Sequence, residues 1–219
     1  MDNSKLHLDQ IRTDYQLASL SIEEVGDAPL PFLEKWLLEV EHSQISEVNA
    51  MTVCTADKEG KPHARMALLK GLEPDGLVFF TNYNSRKGID LSENNQISLL
   101  FFWKELERQV RVEGIAEKIE AAASDEYFHS RPRSSQIGAM ASPQSEVIAD
   151  RKVIEDRVKQ LEAKYENQII PRPDNWGGYI VKPIRIEFWQ GRASRLHDRI
   201  VFERDHLAAT TWRKFRLAP

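Results

Sequence analysis

From about residue 48 the apolar period of this chain shortens from helical spacing to two-residue alternation, and that change constrains the fold most. VNAMTVCTAD (48–57), KPHARMALLKGLE (61–73) and LVFFTN (77–82) are separated only by DKEG and PDG turns, so they read as a meander of strands. QISLLFFW (96–103) and ERQVRVEGIAEKI (107–119) form a further hairpin, and YIVKPIRIEFWQG, RLHDRIVFERD and TWRKFRLA read as three closing strands. Helical spacing is confined to a few places. Leu6, Ile11, Tyr15 and Leu17 lie on one face of 4–19 behind a Ser4 cap. FLEKWLLEVEHS, after the PLP at 29–31, carries Phe32, Trp36, Leu37 and Val40 on one side. Shorter helices are expected at 86–93 and 121–129, and a longer one at 147–166 with Val147, Ile154, Val158, Leu161 and Tyr165 inward. Seven or eight strands in hairpin order, with helices inserted late, predict a mainly β fold with flanking helices, an antiparallel barrel of the α+β class. No repeat or low-complexity linker divides the chain, so residues 1–219 are expected to form one domain, with 1–20 as a mobile lead-in.

Charge and composition narrow the function. A formal net charge of −4 over 219 residues argues against a protein that coats nucleic acid. Cys54 is the single cysteine, and the six histidines show no HExxH spacing, so neither a disulfide nor a metal site is expected. ISLLFFW is far short of the ~18–20 apolar residues needed to cross a bilayer. With no apolar signal core near Met1, the expected location is the cytoplasm.

Five stretches could carry chemistry. In ARMALLK (64–70), Arg65 and Lys70 fall on opposite faces of a regular strand, and two cations on an exposed strand are the plainer reading. In FFTNYNSRKG (79–88), a strand ends near Thr81 and Ser85-Arg86-Lys87 opens a helix. Free N–H groups and the helix dipole suit an anion there, although a solvated helix start explains the same residues. ERQVRVEG places Glu107, Gln109, Arg111 and Glu113 on one strand face, and the amide of Gln109 could both donate to and accept from a heterocycle's edge. If RLHDR is a strand, Arg195, His197 and Arg199 share a face, either as a bare edge or beneath an electron-rich ligand. FHSRPRSSQIGAMASPQS (128–145) adds cations, hydroxyls and amides almost free of acids, again suited to an anion.

Together RMALLK, FFTNYNSRKG, LERQVRVEG, YFHSRPRSSQIGAMASPQS, EFWQGRASRLHDR and the terminal RLAP resemble the pyridoxine (pyridoxamine) 5′-phosphate oxidases. They occur in family order and, with RTDY at 12–15, span almost the whole chain. The resemblance implies an FMN-binding split β-barrel, antiparallel, forming a homodimer with FMN at the subunit interface. It implies FMN contacts at Arg65, Met66, Ala67, Leu68, Leu69, Lys70, Phe80, Thr81, Arg86, Lys87, Gln109, Gln144, Ser145, Trp189 and Arg199, with Arg65, Arg86 and Lys87 on the phosphate. Lys70, Tyr127, Arg131 and Ser135 would hold the substrate phosphate. Arg195 and His197 would act over the pyridine ring beside Leu196, and Arg12 and Tyr15 would close the site. The implied reaction converts pyridoxamine or pyridoxine 5′-phosphate to pyridoxal 5′-phosphate, the last step of vitamin B6 cofactor synthesis and salvage. Hydride passes from C4′ to flavin N5, and O2 reoxidises the flavin to give H2O2. Phe80 departs from relatives that carry tyrosine, so a contact through a phenol oxygen is not available there. Another flavin enzyme on the same barrel, acting on a phenazine precursor, and a non-catalytic flavin or pyridoxal phosphate carrier are the rival readings.

Overall fold

The computed structural model describes residues 13–219. Helix α1 (Pro29–His42) precedes β1 (Ala50–Ala56), β2 (Pro62–Leu68), β3 (Gly71–Glu73) and β4 (Gly76–Asn82). Then come α2 (Arg86–Glu93), β5 (Gln96–Trp103), β6 (Arg108–Lys118), α3 (Ala121–Ser130), α4 (Arg133–Ala141) and α5 (Lys152–Lys164). The chain closes with β7 (Trp176–Gln190), β8 (Asp198–Glu203) and β9 (Arg213–Leu217). The strands form one antiparallel sheet in the order β2-β1-β5-β6-β7-β4-β3, with β8 on β7 and β9 on β8.

Strand β7 organises the sheet. Its first part pairs with β4, from Asn82 opposite Trp176 to Leu77 opposite Val181. Its last part pairs with β8, from Arg185 opposite Glu203 to Gln190 opposite Asp198. Pro183, which has no N–H to give a ladder, falls in the gap between these two partners. On the other edge β6 follows β7 along its length, with a register shift at Glu113/Gly114. A Cβ at Gly114 would stand 2.4 Å from the Lys182 carbonyl oxygen, so the shift requires glycine.

The core follows from alternation. Val110 and Val112 of β6 and Ile186 and Phe188 of β7 point inward, and α1 lays Phe32, Leu33, Trp36 and Val40 across them. Phe188 meets the rings of Phe32 and Trp36 edge-on at 4.8 and 5.4 Å. Cutting such a fully buried ring to alanine costs about 3–5 kcal/mol. A second apolar cluster, built on Phe128, Ile137, Ile170 and Trp176, joins α3 and α4 to the start of β7.

Several sequence expectations are corrected here. Among the described residues the sheet has nine strands, because 61–73 divides at Leu69 and Lys70. There the chain leaves β1, where Leu68 faces Ala50, and takes up β4, where Gly71 faces Val78. Residues 13–19 of the expected first helix are not helical, since distant acids capture their backbone: Leu17 N–H donates to Glu107 Oε2 at 3.1 Å and Leu20 N–H to Asp198 Oδ2 at 3.0 Å. The rest of that helix, with Arg12, lies outside the described residues. Helix α5 starts at Lys152, because Asp150 accepts from Val153 N–H and stops the helix extending back to 147. Glu107 adopts a left-handed φ of 53° and stands before β6, so it does not share that strand's face with Gln109. Of RLHDR only Asp198 and Arg199 are strand. Ser194 and Arg195 take φ of 57° and 61°, turning the chain after Gly191, and β8 begins only at Asp198.

Candidate active site

The strongest site is built where β4 hands over to α2. Ser85 caps α2 in extended conformation, its Oγ accepting from Gly88 N–H and donating to the Asn82 carbonyl at 2.6 Å. Gly88 is obligatory, because a Cβ would lie 2.1 Å from the Tyr83 carbonyl oxygen. The tight entry carries Lys87 inward until it is only 9% exposed. Its Nζ donates to Thr81 Oγ1 at 3.0 Å, Ser85 Oγ at 3.2 Å and Gln144 Oε1 at 3.5 Å. Among the described residues no carboxylate pairs with it. Burial, and then the neighbouring Arg65 guanidinium, lower its pKa to about 8.

Lys87 lines a cavity of about 500 Å³. Met66, Ala67, Leu68 and Lys70 form one wall, Phe80 and Thr81 another, and Tyr127, Arg131, Ser135 and Gln144 arrive from α3, α4 and the loop beyond. The volume is in the usual range for a small-molecule site. Phe80 and Tyr127 stack at 3.8 Å, and Trp176 continues the stack 5.5 Å from Phe80. The Arg131 guanidinium lies 4.6 Å over the Trp176 ring and donates through Nη2 to the Ser135 carbonyl at 2.9 Å. Its Nη1 is buried with no hydrogen-bond partner among the described residues, and burial lowers the guanidinium's pKa. Helix α4 has no side-chain cap, which leaves first-turn N–H groups to an anion. Lys87 and Arg131, neither with an acidic partner among the described residues, therefore face one cavity.

Arg65 and Arg86 stand beside this cavity and do not line it. Arg65 Nη1 donates to Thr55 Oγ1 at 2.8 Å, while Arg86 Nη2 meets Asp57 at 3.0 Å and its Nε meets Asp90 at 3.2 Å. The Leu69 side chain packs in the core, and its N–H and carbonyl both bond Asn49, so it turns no free group to the cavity. Ser145, at φ 74°, follows Gln144 outside it.

The remaining expected residues gather at the other end of β7. Trp189 packs against His197 at 4.6 Å, and Tyr15 lies edge-on to Trp189 at 5.8 Å and 6.0 Å from His197. Gly191 admits that tyrosine, since a Cβ there would lie 2.8 Å from its ring. His197 Nδ1 accepts from Arg192 N–H at 3.1 Å, so the neutral ring keeps its proton on Nε2. Arg199 forks onto buried Glu187 at 2.8 and 3.1 Å, which raises the arginine's pKa. Gln109 faces Trp189 across the β6–β7 ladder, and Arg195 and Leu196 are exposed on the turn. From Trp176 to Trp189 the strand covers about 40 Å at ~3.3 Å per residue, so the two groups of residues lie far apart along β7.

Trp176, Asn82, Pro132 and Ser142 also line the cavity, and none was expected from sequence. Trp176 had the clearest signal, an aromatic directly before the strand's two glycines. Asp90 and His63 were missed as well, although each is spaced to share a face with an expected arginine, at four residues on a helix and two on a strand.

Comparison with known proteins gives a consistent picture. Residues 38–165 match the pyridoxamine 5′-phosphate oxidase family, and residues 176–219 match the pyridoxine 5′-phosphate oxidase C-terminal dimerisation region. The pyridoxine/pyridoxamine 5′-phosphate oxidase of Leptospira interrogans is 54% identical, over 97% of this chain and 98% of that relative. One from a Nostoc species is 51% identical, over 95% and 97%. Among solved structures, PhzG from Burkholderia lata, in complex with tetrahydrophenazine-1-carboxylic acid, superposes with a TM-score of 0.87 at 27% identity, over 94% of this chain and all of that one.

Proposed function

The chain belongs to the pyridoxamine 5′-phosphate oxidase family, and from that premise we propose that it uses FMN to oxidise pyridoxamine or pyridoxine 5′-phosphate to pyridoxal 5′-phosphate. The observation that carries the reading is a pair of cations with no acidic partner among the described residues, buried Lys87 and half-buried Arg131, facing one cavity. FMN and a phosphorylated pyridine each bring one phosphate, so the donor set fits both. Lys87, at the capped start of α2 with Arg65 and Arg86 beside it, suits the FMN phosphate. Arg131, with Ser135, Tyr127 and Lys70, suits the substrate phosphate. When bound, the flavin supplies a two-electron acceptor that takes hydride from C4′ and passes the electrons to dioxygen, releasing hydrogen peroxide.

The chain's own part is alignment and polarisation. Both grips bind groups that do not react, so their binding energy can hold C4′ within the ~3–3.5 Å needed for transfer. Arg195, and His197 with its Nε2 proton free to donate, suit the polar edge of the pyridine ring. Because these residues lie at the far end of β7, the reading assigns them to the partner subunit's cavity in a two-fold homodimer. The matched dimerisation region covers β7 to β9, as that arrangement requires. Tyr15, already against His197, would close the same site. The whole chain acts as a single domain in this reading and, in keeping with its one free cysteine, in the cytoplasm.

Oxygen uptake by the FMN-loaded protein tests the proposal. Pyridoxamine 5′-phosphate should drive uptake with matching hydrogen peroxide, and unphosphorylated pyridoxamine should be a far poorer substrate. No uptake with either phosphorylated substrate would overturn the reading.

A further inference from the structure

We infer that Asp90, acting partly through His63, is a positioning residue that presents Arg65 and Arg86 to the phosphate gripped at Lys87; this rests on the FMN reading above. Asp90 is completely buried on the inner face of α2, one turn beyond Arg86. Its Oδ2 accepts from Thr55 Oγ1 at 2.6 Å and meets His63 Nδ1 at 3.0 Å. Thr55 Oγ1 in turn accepts from Arg65 Nη1 at 2.8 Å, and His63 Nε2 faces Arg86 Nη2 at 3.2 Å. A carboxylate can only accept and a guanidinium can only donate. His63 is therefore the neutral tautomer with its proton on Nδ1, relaying Asp90 to Arg86. One carboxylate thus reaches Arg65 through a hydroxyl and Arg86 through an imidazole. It also meets Arg86 Nε at 3.2 Å, an ion pair without hydrogen-bond alignment, since Asp90 Oδ1 has no hydrogen bond of its own.

The arrangement has an electrostatic purpose. Burial lowers the pKa of both Lys87 and Arg65, and a neighbouring cation lowers each further, Arg65 at Lys87 and Arg86 at Arg65. Three cations gathered without an anion repel one another. Asp90 from within and Asp57 from the rim hold the two arginines in place until a phosphate arrives. Neither acid touches Lys87, so the cavity keeps its full charge.

The test titrates apoprotein with FMN and, separately, with riboflavin, which has the same ring system and no phosphate, following flavin fluorescence. Asp90→Asn should weaken FMN binding by about tenfold or more, the loss expected for charge-assisted hydrogen bonds, and leave riboflavin binding unchanged. His63→Leu should weaken FMN binding by about fivefold, as loss of one such contact does. His63→Gln, whose amide can donate to Asp90 and accept from Arg86, should recover most of that loss. If Asp90→Asn does not fold, the two His63 variants decide. Equal FMN affinity for His63→Leu and His63→Gln, or parallel weakening of FMN and riboflavin, would overturn the positioning role. Wild-type protein that binds no FMN would overturn the cofactor reading itself, whereas tight wild-type binding with unaffected variants would overturn this inference alone.

Discussion

The two ends of β7 use the same residue types in opposite ways. Near Trp176, buried Lys87 and half-buried Arg131 have only neutral partners among the described residues, and both have lowered pKa values. Near Trp189, Arg199 is forked onto Glu187, and Asp198 takes Arg192, Arg216 and the backbone of Leu20. A paired cation fixes geometry, and an unpaired buried one stores a demand for an anion. The first end suits an anion, as the proposed function requires, and the second fixes the geometry of the turn that carries exposed Arg195.

Removing a partner should separate the two ends most sharply. Glu187→Ala strands Arg199 and should lower unfolding stability by about 3 kcal/mol in urea melts, as breaking a buried pair does. Arg131→Met at the other end should leave stability within about 1 kcal/mol, because it removes a group already short of a partner. Equal losses would erase the distinction. The same Arg131→Met variant should raise KM for pyridoxamine 5′-phosphate by about thirtyfold, the worth of a charged hydrogen bond of ~2 kcal/mol, with kcat less affected.

A smaller effect is read by pH. Free Lys87 loses its proton near pH 8, and a bound phosphate would raise that pKa, so binding takes up a proton above pH 8. FMN affinity should therefore fall by up to about tenfold per pH unit above 8, and Lys87→Gln should flatten this part of the profile. Without ligand the sign reverses for stability. An unfolded lysine titrates near 10.5, so between pH 8 and 10.5 the unfolded chain holds more protons, and this group's contribution to apoprotein stability rises with pH. The smallest effect should come from Phe80→Tyr. Its ring already stacks on Tyr127 at 3.8 Å, so kcat/KM should change by no more than about threefold, while a larger change would show that a phenol oxygen matters there.

Much of the cavity end was legible because its signals are local. Ser85, Arg86, Lys87 and Gly88 mark a helix start, and α2 spans 86–93 as the spacing predicts. Arg131 and Ser135 stand out in an acid-poor stretch. The far end was misread for an equally physical reason. Alternation in RLHDR imitates a strand from its first residue, but left-handed φ at Ser194 and Arg195, neither of them glycine, turns the backbone and delays the strand to Asp198. Residues 13–19 have helical spacing, yet Glu107 and Asp198 hold them in an irregular path that no local pattern reveals. The Asp90–His63 relay was hidden because it joins α2 to β2 and β1, and only the folded sheet brings them together.

The central claim is that a working site takes one end of β7 from each subunit, and mixed dimers test it most directly. Arg131→Met impairs the cavity end and Arg195→Leu the other, so with pyridoxamine 5′-phosphate held well below the raised KM of Arg131→Met each homodimer should consume little oxygen. Unfolding and refolding the two variants together, with FMN, should restore oxygen uptake. In a mixed dimer the Arg195→Leu chain keeps an intact cavity and the Arg131→Met chain supplies an intact turn, so one of the two sites is whole. Mixed dimers no more active than their parents would contradict the account and place both ends of the site within a single subunit.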